Sequence, residues 1–241
     1  MVSLLRGPVV LAADLGAADR PFDGPAPALV AGDPLAHVRA VDADRGLYRS
    51  EGLGRPRDLD FVPFYDQHRR RSAVYFRRLD DAEWRQAEGA AAIEAAETAA
   101  LEARSVDVVR LGDERSEGAH ALASAISYPV SYRGRQGRDA RSGGFIAFEV
   151  AVGSGPMALR LTYWGEERLR VFVVRVDGVP IATQRLGADH PGRFFDAEYA
   201  LPAALTAGKA RVSVRIEPES GSAAGPVFGC RVVAPAPGGS A

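Results

Sequence analysis

The sequence is poor in the features that announce a catalyst, a membrane protein or a nucleic-acid binder. It has one cysteine, Cys230, which excludes an internal disulfide and any thiolate metal cluster built by this chain alone. No apolar run approaches the roughly 20 residues that span a bilayer, so no membrane is expected as a partner. Charge of one sign is missing too: 30 basic residues against 31 acidic ones leave a formal charge of −1. A nucleic-acid partner is therefore not expected, because it calls for a basic excess that displaces counterions from phosphates. The four histidines, His37, His68, His120 and His190, are widely separated, with no His-x-x-x-His spacing. Nucleophile elbow, phosphate loop and dinucleotide fingerprint are all lacking. Neither cofactor nor metal is expected. Lys209 is the sole lysine; the arginine excess reads as codon bias and carries no functional inference.

What remains describes a folded, strand-rich protein. A length of 241 residues with 46% hydrophobic residues allows one or two domains with packed cores. The 26 glycines and 16 prolines imply many turns and short strands. The start, Met1 to Ala13, is no typical secretory signal, because its basic residue follows the first apolar ones and Gly7-Pro8 interrupts the run. Compartment stays unassigned. Pro8-Val9-Val10-Leu11-Ala12 reads as a buried strand, and a chain that opens in a core strand is expected to have lost what preceded it. Residues 16–60 read as loop-rich, with Pro21, Pro25, Pro27, Pro34 and Pro56. Strands are expected at Phe61–Tyr65 and Ser72–Phe76. Three or four strands are few for an independent sheet domain, so residues 1–79 read as part of a sandwich.

Residues 80–104 are dense in Ala, Glu, Gln and Leu, all good helix formers. Asp80 or Asp81 can cap the first turn. Large apolar residues are few (Trp84, Ile93, Leu101), which predicts a helical connector packed on a narrow stripe or partly exposed. From Ser105 to residue 235 strand signals follow closely: Phe145–Val152, Met157–Trp164, Arg170–Val176, Val179–Gln184, Phe194–Tyr199, Ala210–Glu217 and Val227–Val233. Asp177-Gly178 between two apolar runs is a hairpin signal, since glycine tolerates the positive φ of such turns. The expected fold is mostly β: two β-sandwich, jelly-roll-like domains, the first incomplete, joined by an α-helix. Residues 236–241, rich in Pro, Gly, Ser and Ala, read as a disordered tail.

Carboxylate pairs are the first chemistry to test, because glycoside hydrolysis needs two carboxyls about 5–10 Å apart. Of the sequence-local pairs, Asp113/Glu114 and Glu166/Glu167 are adjacent and would point to opposite faces of a strand. Asp196 and Glu198 would share a face; the competing account is solvated edge residues. Cys230 lies among apolar neighbours and reads as a small buried hydrophobe. The more informative cluster is Tyr132-Arg133-Gly134-Arg135-Gln136-Gly137-Arg138-Asp139-Ala140-Arg141. At a sandwich rim, aromatic faces stack on sugar C–H surfaces while Arg and Asp grip hydroxyls. Candidate carbohydrate-binding residues are Tyr132, Arg135, Arg138, Asp139 and Arg141, with Tyr163 and Trp164 as a stacking platform. The plainer account is a solvated arginine loop with Trp164 in the core.

A series of short motifs adds a resemblance. Arg6-Gly7-Pro8-Val9-Val10-Leu11-Ala12, Phe61-Val62-Pro63-Phe64-Tyr65-Asp66-Gln67-His68 and Tyr75-Phe76 resemble the β-sandwich that follows the catalytic barrel of glycoside hydrolase family 127, the β-L-arabinofuranosidase-like enzymes. Leu161-Thr162-Tyr163-Trp164-Gly165, Val176-Asp177-Gly178 with Ile181-Ala182, Pro191 to Tyr199, and Val227-Phe228-Gly229-Cys230-Arg231-Val232 resemble the additional C-terminal domain of such proteins. The resemblance covers roughly residues 1–235. It implies that catalysis belongs to an upstream (α/α)6 barrel, with a cysteine nucleophile and a zinc ion held by cysteines and a glutamate. None of those positions has a counterpart here, so no catalytic residue carries over. The resemblance thus implies a non-catalytic accessory region with a structural and carbohydrate-binding role, whose partners are a carbohydrate ligand and a catalytic-barrel chain or a second copy. The alternatives are a free-standing carbohydrate-binding protein or, further off, an active hydrolase using Asp196 and Glu198.

Overall fold

Turn residues cut the chain into short extended runs, and in the computed structural model, which describes residues 1–19, 26–30 and 32–235, these runs form two strand-built regions with a long helix between them. The chain divides into units Met1–Thr98 and Ala99–Ala241, the division falling inside the helix. The first unit carries β1 (Leu4–Arg6), β2 (Val9–Ala17), β3 (Ala28–Val30), β4 (Val38–Asp42), β5 (Leu47–Ser50), β6 (Gly54–Arg55), β7 (Asp60–Pro63), β8 (Arg70–Ala73) and β9 (Arg77–Leu79). One sheet runs β1-β2-β7-β5-β4 with β8 also on β2; a smaller one runs β6-β3-β9. Leu4, Leu11, Leu29, Leu53, Phe61 and Phe76 fill its core, with Phe61 and Phe76 edge to face at 5.8 Å.

This unit holds more strands than the sequence led us to expect. Most of residues 16–60 read as loop, yet β3 to β6 lie there, each only two to five residues long. Runs that short carry too little alternation to be read. The expected strand at Phe61–Tyr65 is Asp60–Pro63 followed by a 3₁₀ turn over Phe64–Asp66; Pro63 has no N–H to continue a ladder. The strand expected at Ser72–Phe76 is β8, which ends at Ala73. Pro21, Pro25 and the tail at 236–241 lie outside the described residues.

Helix α1 spans Asp81–Arg104. Asp80 Oδ1 accepts from the Ala82 and Glu83 N–H groups at 2.8 Å, and Glu83 returns the bond by accepting from the Asp80 N–H at 2.9 Å, a reciprocal capping box. Trp84 alone on this helix is buried, packed with Ala28, Val30 and Leu79; Ile93 is exposed.

The second unit comprises β10 (Ser105–Val109), α2 (Glu114–Ala119), β11 (Ala123–Tyr132), β12 (Arg135–Ala151), β13 (Met157–Trp164), β14 (Arg170–Val176), β15 (Val179–Leu186), β16 (Phe194–Leu201), α3 (Ala203–Thr206), β17 (Arg211–Pro218) and β18 (Ala224–Val233). The strand order is β15-β14-β17-β12-β18-β13-β16, with β10 on β18 and β11 on β12. Asp177-Gly178 forms the expected two-residue turn, with φ of 48° and 81° between paired Val176 and Val179. Inward residues of alternating strands build one core, including Phe148, Leu159, Leu161, Phe172, Val174, Val214 and Ile216. The end strands β15 and β16 are laced by side chains: the Tyr199 hydroxyl donates to Gln184 Oε1 at 2.6 Å and lies 3.0 Å from the Tyr163 hydroxyl.

Candidate functional site

The arginine-rich stretch is a hairpin, not the rim loop expected from its composition. Tyr132 of β11 faces Arg135 of β12 across a two-residue turn. Both turn residues, Arg133 and Gly134, are left-handed, with φ of 46° and 77°, the geometry that matches strand twist in a tight hairpin. Alternation along β12 sets Arg135, Gly137 and Asp139 on one face and Gln136 and Arg138 on the other. Gly137 is where β18 crosses: a Cβ there would sit 2.5 Å from the Val227 carbonyl oxygen and 2.9 Å from Phe228 Cδ1. That close approach brings Phe228 alongside the hairpin.

Trp164 closes β13 and Phe194 opens β16, and the two are register partners. The rings form a row: Tyr132–Trp164 centroids lie 5.1 Å apart, Trp164–Phe194 5.0 Å and Phe194–Phe228 5.0 Å. Two guanidinium groups lie on this row. Arg133 Cζ is 4.7 Å from the Trp164 centroid, and Arg135 Cζ is 4.5 Å from that of Phe194. Trp164 is only 5% exposed, whereas Tyr132 is 41% exposed. Solvent therefore meets one tyrosine ring and two arginine heads, with the other rings as their support.

Of the seven residues expected to bind, Tyr132, Arg135 and Trp164 meet here. Arg138 projects from the opposite face and is bidentate to Glu117 of α2, at 2.7 and 2.8 Å. Burial pushes the Glu117 carboxyl up, but the bonds from Arg138 and from the Gly112 N–H outweigh it and hold it below the ordinary range. Asp139 shares the face of Arg135 but is buried, with Oδ2 3.1 Å from Nε of the exposed Arg141 and Oδ1 without a hydrogen-bond partner among the described residues. Tyr163 is fully enclosed in the core, and burial raises its hydroxyl well above its ordinary value; its ring is not open to a ligand. Burial pushes the Tyr199 hydroxyl up to about 12. Sequence reasoning left Phe194 and Phe228 out, and took Arg133 only as part of the stretch. The Arg133-Gly134 pair was a readable turn signal; the two phenylalanines depend on pairing between distant strands.

The hydrolytic alternative meets a different environment. Asp196 and Glu198 do share a face, but both are bound by Arg160, at 2.8 and 2.7 Å, and Glu198 also by Arg104 at 2.5 Å. Burial raises the Glu198 carboxyl, and the two arginines more than reverse this. A glycosidase acid needs the opposite, a carboxyl held protonated. Nor do the residues fit the zinc ion of family 127: Cys230 is buried, burial pushes its thiol far up, and among the described residues no three metal-ligating side chains gather.

Comparison with solved structures finds distant similarity to carbohydrate-binding modules and to accessory regions of glycoside hydrolases. A family 35 carbohydrate-binding module from Clostridium thermocellum is 17% identical, with a TM-score of 0.38 over 46% of this chain and 90% of the module. A family 35 module from an environmental isolate is 13% identical, with a TM-score of 0.37 over 48% of this chain and 89% of the other. An exo-β-1,3-galactanase from Phanerochaete chrysosporium, solved with β-1,3-galactotriose, is 14% identical, with a TM-score of 0.38 over 46% of this chain; the match spans 27% of that enzyme. No curated protein matches the chain. The family model that matches, over residues 100–233, is described as a family of unknown function, DUF6805, and the chain belongs to that family.

Proposed function

We propose that this chain is the non-catalytic C-terminal accessory region of a family 127-like, β-L-arabinofuranosidase-like glycoside hydrolase, with a structural role in its first unit and a carbohydrate-binding role in its second. The observation that carries the reading is the row Tyr132–Trp164–Phe194–Phe228 with two guanidinium groups on it. An aromatic surface flanked by fixed polar groups is what sugar recognition asks of a protein: a flat apolar face for C–H groups and forked donors for oxygens. Tyr132, Arg135 and Trp164 are the binding residues in this reading, together with Arg133, Phe194 and Phe228. Arg138, Asp139 and Arg141 brace the hairpin, and Tyr163 serves the core.

A barrel chain, or a second copy, is the proposed protein partner of the first unit, where Leu5, Phe64, Tyr65 and Tyr75 are exposed and offer apolar contact area. The second reading, a free-standing carbohydrate-binding protein, is favoured by one fact: every residue of the aromatic row lies within the unit Ala99–Ala241, which has its own core. The test is a glycan screen on the whole chain, with arabinose-containing oligosaccharides included. Binding that falls on Tyr132→Ala supports the site; binding indifferent to it removes the site. Release of sugar from a chromogenic arabinofuranoside by pure chain, with or without added zinc, would overturn the non-catalytic reading. Co-purification with a barrel chain separates accessory from free-standing.

A further inference from the structure

Arg133 and Arg135 differ from the other arginines of the hairpin. Arg138 and Arg141 each have a carboxylate. Arg133 and Arg135 have aromatic rings beneath them and, among the described residues, no ion pair. Glu166, two residues beyond Trp164, accepts from the Gly192 N–H at 3.0 Å, and Arg193 beside Phe194 lies 3.5 Å from His190 Nδ1. Arg133 and Arg135 thus present guanidinium groups that no carboxylate among the described residues pairs with directly. A guanidinium lying on a ring keeps its edge N–H groups directed sideways, ready for an oxyanion, while the ring fixes its plane and limits the rotamer entropy a ligand would have to quench.

We infer that the ligand of this face is an acidic glycan, its carboxylate groups gripped by Arg133 and Arg135 while a sugar ring lies on Tyr132. The inference rests on the carbohydrate reading above and adds the charge of the sugar. The chain's formal charge of −1 favours a glycan over a nucleic acid, because the basic groups form a two-residue grip rather than a backbone-tracking stripe. A uronate carboxylate and a sulfate ester are both oxyanions that this grip fits, and the guanidinium fork favours the planar carboxylate.

Affinity electrophoresis and calorimetry on the whole chain test it with four probes: polygalacturonate, dextran sulfate, a neutral arabinan and a single-stranded oligonucleotide. The expected result is binding to polygalacturonate that weakens with salt and falls at least about tenfold, equivalent to about 1.4 kcal/mol, in the R133Q/R135Q variant. R133K/R135K, which keeps charge but loses the fork, should recover only part of it. The thermal midpoint of both variants, measured alongside, reports that the hairpin still folds. Binding to arabinan alone overturns the acidic assignment and leaves the carbohydrate reading intact; binding to no glycan overturns both. Tighter binding to dextran sulfate replaces carboxylate by sulfate. Equal binding to the oligonucleotide, or polygalacturonate binding unaffected by R133Q/R135Q, overturns the inference.

Discussion

Two sets of arginines within residues 99–241 meet different neighbours, and the contrast separates guanidinium groups paired with carboxylates from guanidinium groups laid on rings. Arg138 lies under α2 with both arms on Glu117, its side chain 11% exposed and its partner's 7%. Arg160 bridges Asp196 and Glu198 on the β13–β16 surface, and Arg104 joins it on Glu198. Arg133 and Arg135, at most a few positions from Arg138 in sequence, rest on Trp164 and Phe194 and form no ion pair among the described residues. The same side chain is tied into the fold where a carboxylate faces it and, in the proposed reading, available to a ligand where only a ring does.

The contrast breaks most sharply at Arg138. Arg138→Ala leaves the Glu117 carboxylate buried with the Gly112 N–H as its remaining strong donor, and should cost about 3–5 kcal/mol in chemical denaturation, the range for halving a buried pair. If the loss is under about 1 kcal/mol, the pair is not structural in the sense drawn here. Next comes acidity. Glu117, Asp107 and Glu198 all sit below the ordinary carboxyl range. Burial raises each, and hydrogen bonds from Arg138, from the Ala151 N–H and from Arg104 respectively lead the opposing effects that win. The unfolded chain therefore takes up protons first, from roughly pH 4 downward. The stability these groups lend is present above that pH and fades as pH falls through their folded values. Thermal midpoints recorded from neutral to pH 3 should show that acid limb, flattened in Arg138→Ala and unchanged in Arg135→Ala. A smaller effect is expected at Arg160, partly exposed: Arg160→Ala should lose about 1–2 kcal/mol, since hydrogen bonds to charged groups exceed simple surface pairing. Smallest of all is Arg135→Ala, with a stability change below about 1 kcal/mol, the worth of an exposed cation–ring contact. A large loss there would show that the ring contact holds the hairpin together and would blur the distinction.

What was legible in the sequence follows from how local each signal is. The helix over 81–104 was readable because its composition and a candidate cap at Asp80 or Asp81 are contiguous; the return bond from Glu83 was not read. The strands from Met157 to Val176 and the Asp177-Gly178 turn were readable for the same reason. Strands β3 to β6 were not, being too short to show a period. The arginine cluster was found, but as a loop, because charged residues on a half-exposed hairpin mask its alternation. Gly137 in that stretch marks the crossing of β18 and not flexibility. Trp164 was placed between core and ligand; it is buried, with Arg133 laid over its ring. Tyr163 could not be told from Trp164 without the pleat, which sends neighbours to opposite sides.

The Tyr163–Tyr199–Gln184 chain of hydroxyl and amide groups has a consequence for solubility. It ties the two ends of the strand order, β15 and β16, to each other through side chains rather than through a main-chain ladder, and engaged side chains are one way to blunt a sheet edge. The clasp acts through β13, β15 and β16, and the hairpin tip at Arg133-Gly134 contributes to neither of its bonds.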